Sequence, residues 1–336
     1  MSTLPIVDAT QAPNAISVAA RTEHRFRLTE LLPWVAAVLV YILAADYLPL
    51  ANQIVINILF VMSLDLVLGY AGIATLGHGV FLGIGAYAAG LLSVHGWHEP
   101  ISGLLIAGCV AALAGAVSGA VVLRRTQRVT LLVLTLVVAM MVSEAANKLT
   151  SITGGADGLQ GMELSPLLGM FSFDLQGRTA YLYSLVVLFL SWLVLRTIVY
   201  SSFGMSLTGI RENEARMHAL GAPVYLKKLA AYTIGAGFAG ISGALIAQTA
   251  QFVALDVTRF ERSGTALIML IAGGLGRLYG AFIGAPIFMI AQDWFAANDP
   301  IYWNAWIGVG MILIVTFARG GLLSVFISLR KKWMKP

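Results

Sequence analysis

Long apolar segments alternate with short polar ones along most of the chain. A membrane-crossing helix needs about 20 mostly apolar residues, and ten stretches approach that length. They lie at 31–48, 51–69, 80–96, 101–123, 129–147, 179–199, 229–249, 263–276, 279–297 and 302–318. The pattern therefore predicts an all-α integral membrane protein of about ten transmembrane helices.

Composition agrees with this prediction and excludes other classes. The 336 residues are 59% hydrophobic and 11% charged, against roughly 45–50% and about 25% in a soluble domain. The 35 glycines follow no three-residue period, which excludes collagen. The single cysteine, Cys109, excludes an internal disulfide and is interpreted as a packing residue.

The positions of the basic residues predict the orientation. With a cytoplasmic N-terminus, 17 of the 21 lysines and arginines fall inside, and Lys148, Arg178, Arg259 and Arg262 fall outside. Because positive charge accumulates on the cytoplasmic side, both termini are predicted to lie inside. The net charge of +5 is thus an orientation signal, and no nucleic acid partner is expected.

The same reading predicts one membrane domain with two tails. Residues 1–30 lack the order of a cleavable signal peptide and are interpreted as a cytoplasmic N-terminal tail. Residues 31–318 form the membrane domain, and 319–336 form a basic cytoplasmic tail. The loops 148–178 and 200–228 are too short for an independently stable domain.

Enzyme chemistry is not indicated by any motif. The sequence has no GxxxxGK[ST] loop, HExxH helix or CxxC pair, and Gly273-Gly274-Leu275-Gly276 lacks the lysine of a phosphate-binding loop. Neither a catalytic residue nor a metal site or bound cofactor is predicted. The chain is expected to move a solute, so polar groups and glycine breaks at membrane depth are the places to look.

The stretch from Gly69 to Tyr87 is unusually rich in glycine. Non-helical backbone inside a membrane survives only where protein or a water-filled cavity satisfies it. One interpretation is therefore a broken or re-entrant segment near 69–85, beside a solute path. The alternative is close helix packing through glycines, as is expected for the registers Gly115/Gly119, Ala236/Gly240/Ala244 and Gly276/Gly280/Gly284.

Four polar residues are candidates for a translocation path: Asp65, Thr75, His78 and Glu144. Asp65 could contact a substrate ammonium or hold the adjacent glycine loop, and the alternative is a structural carboxylate near the membrane edge. His78 could contact substrate or simply hydrogen-bond a neighbour. Glu144 could guard an entrance or be a solvated interfacial carboxylate.

The loop between the sixth and seventh spans differs in kind from the others. Residues 209–221 have a charged start, an Ala/Leu-rich body and a closing glycine, Gly221, which together predict a short helix on the cytoplasmic face. Such a helix offers a partner a mixed polar and apolar surface. The alternative is a solvated loop that merely joins two spans.

Four blocks of residues, which together span about 50–325, resemble the LivM-type permease subunits of branched-chain amino acid ABC importers. They are Leu68–Gly72 through Gly77-His78 to Gly83–Tyr87; Thr153–Gly158; Ile210–Glu214 to Ala219-Leu220-Gly221; and Gly273–Gly276 with Gly280 and Gly284. The first 30 residues lie outside the resemblance. Asp65 departs from it, because the family commonly has Asn there, and this puts the usual leucine, isoleucine and valine preference in question.

The resemblance implies a set of partners: a homologous second permease, two cytoplasmic ATPases and a periplasmic binding protein, in the bacterial inner membrane with its lipid. ATP would be used by the ATPases and not by this chain. The resemblance also implies that 211–221 is the ATPase-coupling segment, with candidates Arg211, Glu212, Asn213, Glu214, Ala215 and Gly221. The outer loop, with Thr153, Gly154, Gly155 and Asp157, is expected to meet the binding protein or form a gate.

These observations favour alternating access driven by the partner ATPases. One rival is an ion-coupled secondary transporter with Asp65 and His78 as coupling groups. A membrane-embedded enzyme is a weaker one. The substrate stays open between amino acids, urea or other amides, and small carboxylic acids.

Overall fold

The computed structural model describes residues 28–310, apart from 44, 125–127, 168, 173, 175 and 304. Most of the predicted tail 1–30, the end of the span 302–318 and the basic tail 319–336 therefore lie outside the described residues. The described helices are α1 Leu32–Leu43, α2 Leu48–Leu64, α3 Gly79–Val94, α4 Pro100–Val122, α5 Arg128–Lys148, α6 Thr150–Thr153, α7 Arg178–Val199, α8 Ser202–Glu212, α9 Glu214–Ala219, α10 Val224–Ala250, α11 Phe260–Gly273 and α12 Ala281–Asn298.

The described part is built from helices, joined by short 3-10 turns and one π-helical turn. Among the described residues, five helical segments are long and apolar enough to cross a membrane: Leu48–Tyr70, Pro100–Val122, Val129–Lys148, Arg178–Val199 and Val224–Ala250. Helices α1 and α3 are apolar but shorter. The predicted fold class, an all-α integral membrane protein, is thus confirmed.

Local sequence explains where some of these helices begin and end. Proline stands at the first position of α4, where its missing N–H costs nothing, and the Glu99 side chain accepts hydrogen bonds from the backbone N–H groups of Ile101 and Ser102. Helix α11 ends at Gly273 because the backbone turns sharply at Gly274 (φ +117°). At 14 residues, α11 is about 21 Å long, which is too short to cross the bilayer core.

Helix α10 lies at the centre of the bundle, against α2, α3 and α4. Small residues permit this close packing: Gly240 faces Ala111 of α4, and Gly115 of α4 faces Ala236. The predicted glycine registers on α4 and α10 are therefore confirmed as packing seams. The register Gly276/Gly280/Gly284 is confirmed only in part. Gly280 packs against Gly273 and Gly284 packs against Met269, both on α11, whereas Gly276 lies in a turn with φ +68° and not on a helix.

Helix α10 also packs closely against α3, and the closest approach between these two helices is at Gly243 of α10. A Cβ atom at this position would overlap the carbonyl oxygen of Leu82, which is backbone and cannot swing away. Gly243→Ala is expected to lower the free energy of unfolding by about 1–3 kcal/mol, measured as a fall in the thermal midpoint in detergent. The control is Gly264→Ala, because nothing lies within 4 Å of that position. Equal destabilisation by both changes would contradict the packing argument.

Candidate functional site

Helix α2 is followed by a break in the helical structure, directly after the apolar segment Leu48–Tyr70. A π-helical turn, Asp65–Tyr70, leads into the non-helical residues 71–78, and α3 begins at Gly79. The Nε2 atom of His78 lies 2.9 Å from Oγ of Ser63 on α2, so the segment folds back alongside the last turns of that helix. The predicted break near 69–85 is confirmed, but it ends at His78 because 79–85 is helical.

The non-helical backbone finds its hydrogen-bond partners within the protein. Leu76 N–H donates to Oγ1 of Thr135 on α5 (3.2 Å), and Gly77 N–H donates to Oγ1 of Thr75 (3.1 Å). At the start of α3, Gly79 N–H donates to Oγ of Ser263 on α11 (2.6 Å). These side chains satisfy peptide groups that lipid could not. Thr75 itself is buried.

Asp65 connects the break to the turn between α11 and α12. Its side chain is buried, and Oδ1 accepts a hydrogen bond from the backbone N–H of Gly276 at 2.7 Å. The adjacent Leu278 N–H donates to the hydroxyl of Tyr70 at 3.2 Å. Two glycine-rich turns, far apart in sequence, therefore meet at this point.

Arg211, in the last turn of α8, reaches the same place. Its Nη1 donates to the carbonyl oxygen of Gly69. A Cβ atom at Gly72 would lie 2.9 Å from Cγ of Arg211, and one at Gly276 would meet Nη1. The side chain thus points into the protein, between the two glycine turns. We call Asp65, Gly69, Arg211 and Gly276 the inner junction.

The rest of the segment 211–221 differs from the single predicted helix. Asn213 adopts an extended conformation (φ −153°), and its side chain accepts a hydrogen bond from the backbone N–H of Arg216 at 2.9 Å. It therefore ends α8 and caps the N-terminus of α9. The pattern of charged residues predicted one continuous helix and did not indicate this cap. The predicted stop at Gly221 is confirmed, since this residue has φ +77°.

The acidic residues of this segment face different ways. Glu214 is half-buried and pairs with Lys228 on α10, with Oε2 2.6 Å from Nζ. Glu212 and Ala215 are exposed, and Leu220 is 73% exposed. Glu212, Ala215 and Leu220 therefore form the outward surface that a partner could contact.

The structure does not bring the four path candidates to one point. Fully buried His78 stacks on Phe60 with 5.6 Å between ring centroids, in the same break as Thr75. Asp65 belongs to the inner junction. Glu144, near the end of α5, is 57% exposed and pairs with Lys148 at 3.4 Å.

The outer-loop candidates form a fixed turn after α5. Thr153 is buried and its hydroxyl donates to the carbonyl oxygen of Leu149 at 2.9 Å. Gly154 and Gly155 have positive φ angles of +75° and +59°, while Asp157 is exposed. Beyond them, Leu159 and Val253 exchange backbone hydrogen bonds, which tie this loop to the end of α10.

A cavity that the sequence prediction missed lies among the start of α2, the start of α7 and the ends of α10 and α12. Its volume is about 740 Å³. Polar residues of α2, among them Asn52, Gln53 and Asn57, line it together with Gln292 and Asp293 of α12. Amide and carboxylate groups inside the predicted spans 51–69 and 279–297 were a signal that could have found it, because they are costly in lipid.

A buried non-helical segment among long apolar helices is typical of membrane transport proteins. The model of the family described as "Branched-chain amino acid transport system / permease component" matches residues 47–316. The chain belongs to this family.

Relatives in bacteria and archaea agree with the family match. The chain is 28% identical over 295 residues to the high-affinity branched-chain amino acid transport system permease protein LivM of Escherichia coli K12, covering 82% of this chain and 69% of the relative. It is 24% identical over 312 residues to the probable branched-chain amino acid transport permease protein LivM of Methanocaldococcus jannaschii. This match covers 78% of this chain and 88% of the relative. No solved structure matches the chain.

Proposed function

We propose that this chain is the permease subunit of an ATP-binding-cassette importer that carries branched-chain or related amino acids across the bacterial inner membrane. The family match and the names of the relatives support the transport of branched-chain amino acids. The apolar helices support a multi-pass location in the membrane. In this proposal the chain binds no cofactor, and its partners hydrolyse ATP.

The proposed arrangement has about ten transmembrane helices with both termini in the cytoplasm. The membrane domain spans 31–318, between a cytoplasmic tail at 1–30 and a basic tail at 319–336. A homologous second permease, two cytoplasmic ATPases and a periplasmic binding protein complete the importer. The distribution of the lysines and arginines supports this orientation.

The proposed mechanism is alternating access, transmitted through α8 and α9. Closure of the ATPases would move these helices by way of Glu212, Ala215 and Leu220, which are exposed. The observation that supports this most strongly is the hydrogen bond from Arg211 to Gly69, because it connects α8 directly to the non-helical break after α2. A movement of α8 would therefore displace the break and the α11–α12 turn together.

Glu212 provides the test of this proposal. Its side chain is exposed and has no intramolecular hydrogen bond or ion pair within the described part of the chain, so Glu212→Ala should leave the fold intact. We expect the wild-type complex to co-purify with its ATPases and to show vanadate-sensitive leucine uptake. Glu212→Ala should lower uptake per ATP hydrolysed by about tenfold, equivalent to about 1.4 kcal/mol of lost coupling.

Two comparisons make this test specific. Asp46→Ala removes another exposed carboxylate, between α1 and α2 and away from α8 and α9, and should not alter uptake. Glu214→Ala should also lower coupling, but it breaks the ion pair with Lys228 and so loosens α9 as well. Uptake that resists vanadate and collapses with an ionophore would instead favour an ion-coupled secondary transporter.

A further inference from the structure

An ion pair outside the inner junction is buried at the end of α7. Arg196 lies in the last turn of this helix, and its side chain is 7% exposed. Its Nη2 atom lies 3.1 Å from Oε2 of Glu30, which precedes α1 and has a side chain that is 12% exposed. Burying two charges is costly even when they pair, and ionisable groups inside membrane proteins commonly mark functional positions. The pair is therefore a candidate for a role beyond stability.

Aromatic side chains near the pair join three parts of the chain. The ring of Trp34 on α1 packs edge-on against Trp192 of α7 and Phe282 of α12, each with 5.5 Å between ring centroids. Helix α1 is also held to α7 by the hydroxyl of Tyr181, which donates to the carbonyl oxygen of Ala37 at 2.9 Å. The N-terminal helix is thus fixed to α7 and to the first turn of α12, which follows the turn of the inner junction.

Arg196 also fixes the corner between α7 and α8. Its guanidinium carbon lies 5.4 Å from the centre of the Tyr200 ring, which is the range of a cation–π contact. The backbone N–H of Tyr200 donates to the carbonyl oxygen of Arg196 at 3.1 Å, and the Ser201 side chain caps the start of α8. Only Tyr200 and Ser201 stand between the two helices, so the buried pair sets the direction in which α8 leaves α7.

We propose that Glu30 and Arg196 are positioning residues that fix the start of α8, so that this helix acts as a lever. Its start is held at the Tyr200 corner, and its last turn carries Arg211, which donates to the carbonyl oxygen of Gly69. Helix α8 has 11 residues and is therefore about 16 Å long. A movement of α9 tilts α8 about the fixed corner and displaces Gly69 at its far end.

Without the pair, the corner itself would shift, and less of the movement would reach the break after α2. This inference rests on the proposed function, for which it names the residues that direct the transmitted movement. It differs from the role of Arg211, because Glu30 and Arg196 act at the opposite end of α8 and make no contact with the break.

Three variants test this role in the complete complex, reconstituted in vesicles with labelled leucine. Glu30→Ala leaves a buried guanidinium without its carboxylate, and we expect uptake per ATP hydrolysed to fall by about tenfold. Arg196→Lys keeps a cation beside Glu30 and Tyr200 and should retain part of the coupling. The double variant Glu30→Leu with Arg196→Met replaces the pair by apolar side chains. It should keep its thermal midpoint but lose coupling, because no cation contacts Tyr200.

A distance measurement tests the position of α8 without transport. After the single cysteine is removed by Cys109→Ser, spin labels are attached to Met205→Cys on α8 and Val121→Cys at the end of α4, where both side chains are exposed. Electron paramagnetic resonance of the nucleotide-free protein in lipid nanodiscs should give one narrow distribution of distances for otherwise wild-type protein. We expect a broader distribution for Glu30→Ala and for the apolar double variant.

Asp46→Ala is the matched control, because Asp46 is an exposed carboxylate between α1 and α2. Its coupling and distances should match the wild type, and an equal loss in this control would contradict the proposal. Normal coupling or unchanged distances in the apolar double variant would also overturn it.

The two measurements separate this inference from the proposed function. If wild-type uptake is sensitive to vanadate while Glu30→Ala leaves the distances unchanged, only the lever proposal fails. If vanadate-sensitive uptake is absent while Glu30→Ala broadens the distances, the importer proposal fails and the fixed corner stands.

Discussion

Replacing Arg211 with alanine is expected to lower leucine import by about tenfold or more, while the proposed importer stays assembled and continues to hydrolyse ATP. The guanidinium donates to the Gly69 carbonyl oxygen and lies between the glycine turns at 72 and 276. Without it, α8 keeps the exposed surface that we propose contacts the ATPases, but it loses this hydrogen bond to the break after α2. We expect uptake per ATP hydrolysed to fall by about tenfold or more, or about 1.4 kcal/mol of coupling, in reconstituted vesicles.

Two other variants show whether this effect is specific to the inner junction. Arg211→Lys keeps a positive charge but not the planar fork of donors, so it should restore part of the coupling. Arg178→Ala removes an exposed arginine at the start of α7 and should leave coupling unchanged. Normal coupling in Arg211→Ala, with a normal thermal midpoint, would refute the proposed transmission through the inner junction.

Local patterns in the sequence pointed to the break as one of two interpretations and predicted much of the helix packing. The run of glycines from Gly69 to Gly79 indicates that a straight helix cannot continue, because glycine destabilises a helix by about 1 kcal/mol per residue relative to alanine. The small residues at Gly115 and Gly240 recur at helical spacing, so they predict a seam, and the structure packs them against Ala236 and Ala111. These features depend on residues that are close together in the sequence, so they can be predicted from the sequence pattern alone.

The inner junction could not be predicted in this way. Asp65 and Gly276 are 211 residues apart, and their contact depends on how α2 and α11 pack. Likewise, a charged residue in a cytoplasmic loop is expected to face solvent or a partner, whereas Arg211 turns inward to a carbonyl group of the break. The presence of Arg262 in the lining of the cavity could not be predicted either, because only the assembled helices bring the start of α11 beside α2 and α12.

Asp65→Ala is expected to lose most of the import activity, whereas Asp65→Asn is expected to keep it. The alanine leaves the partly buried N–H of Gly276 without its acceptor, at a cost of about 1–3 kcal/mol, and removes this hydrogen bond between the α11–α12 turn and the end of α2. Asparagine retains an Oδ1 atom that can accept the same bond. By this argument the carboxylate of Asp65 acts as a hydrogen-bond acceptor for Gly276, and an asparagine side chain could take the same role.

Vesicle uptake of labelled leucine and the thermal midpoint of the purified complex measure this difference. Asp46→Ala, which removes an exposed carboxylate outside the inner junction, should match the wild type in both. The comparison also decides between two roles for Asp65, because an ion-coupled transporter needs a group that binds and releases a proton or a cation. If Asp65→Asn fails as completely as Asp65→Ala while its thermal midpoint is unchanged, the negative charge is the functional feature, and the role of Asp65 as a hydrogen-bond acceptor for Gly276 is wrong.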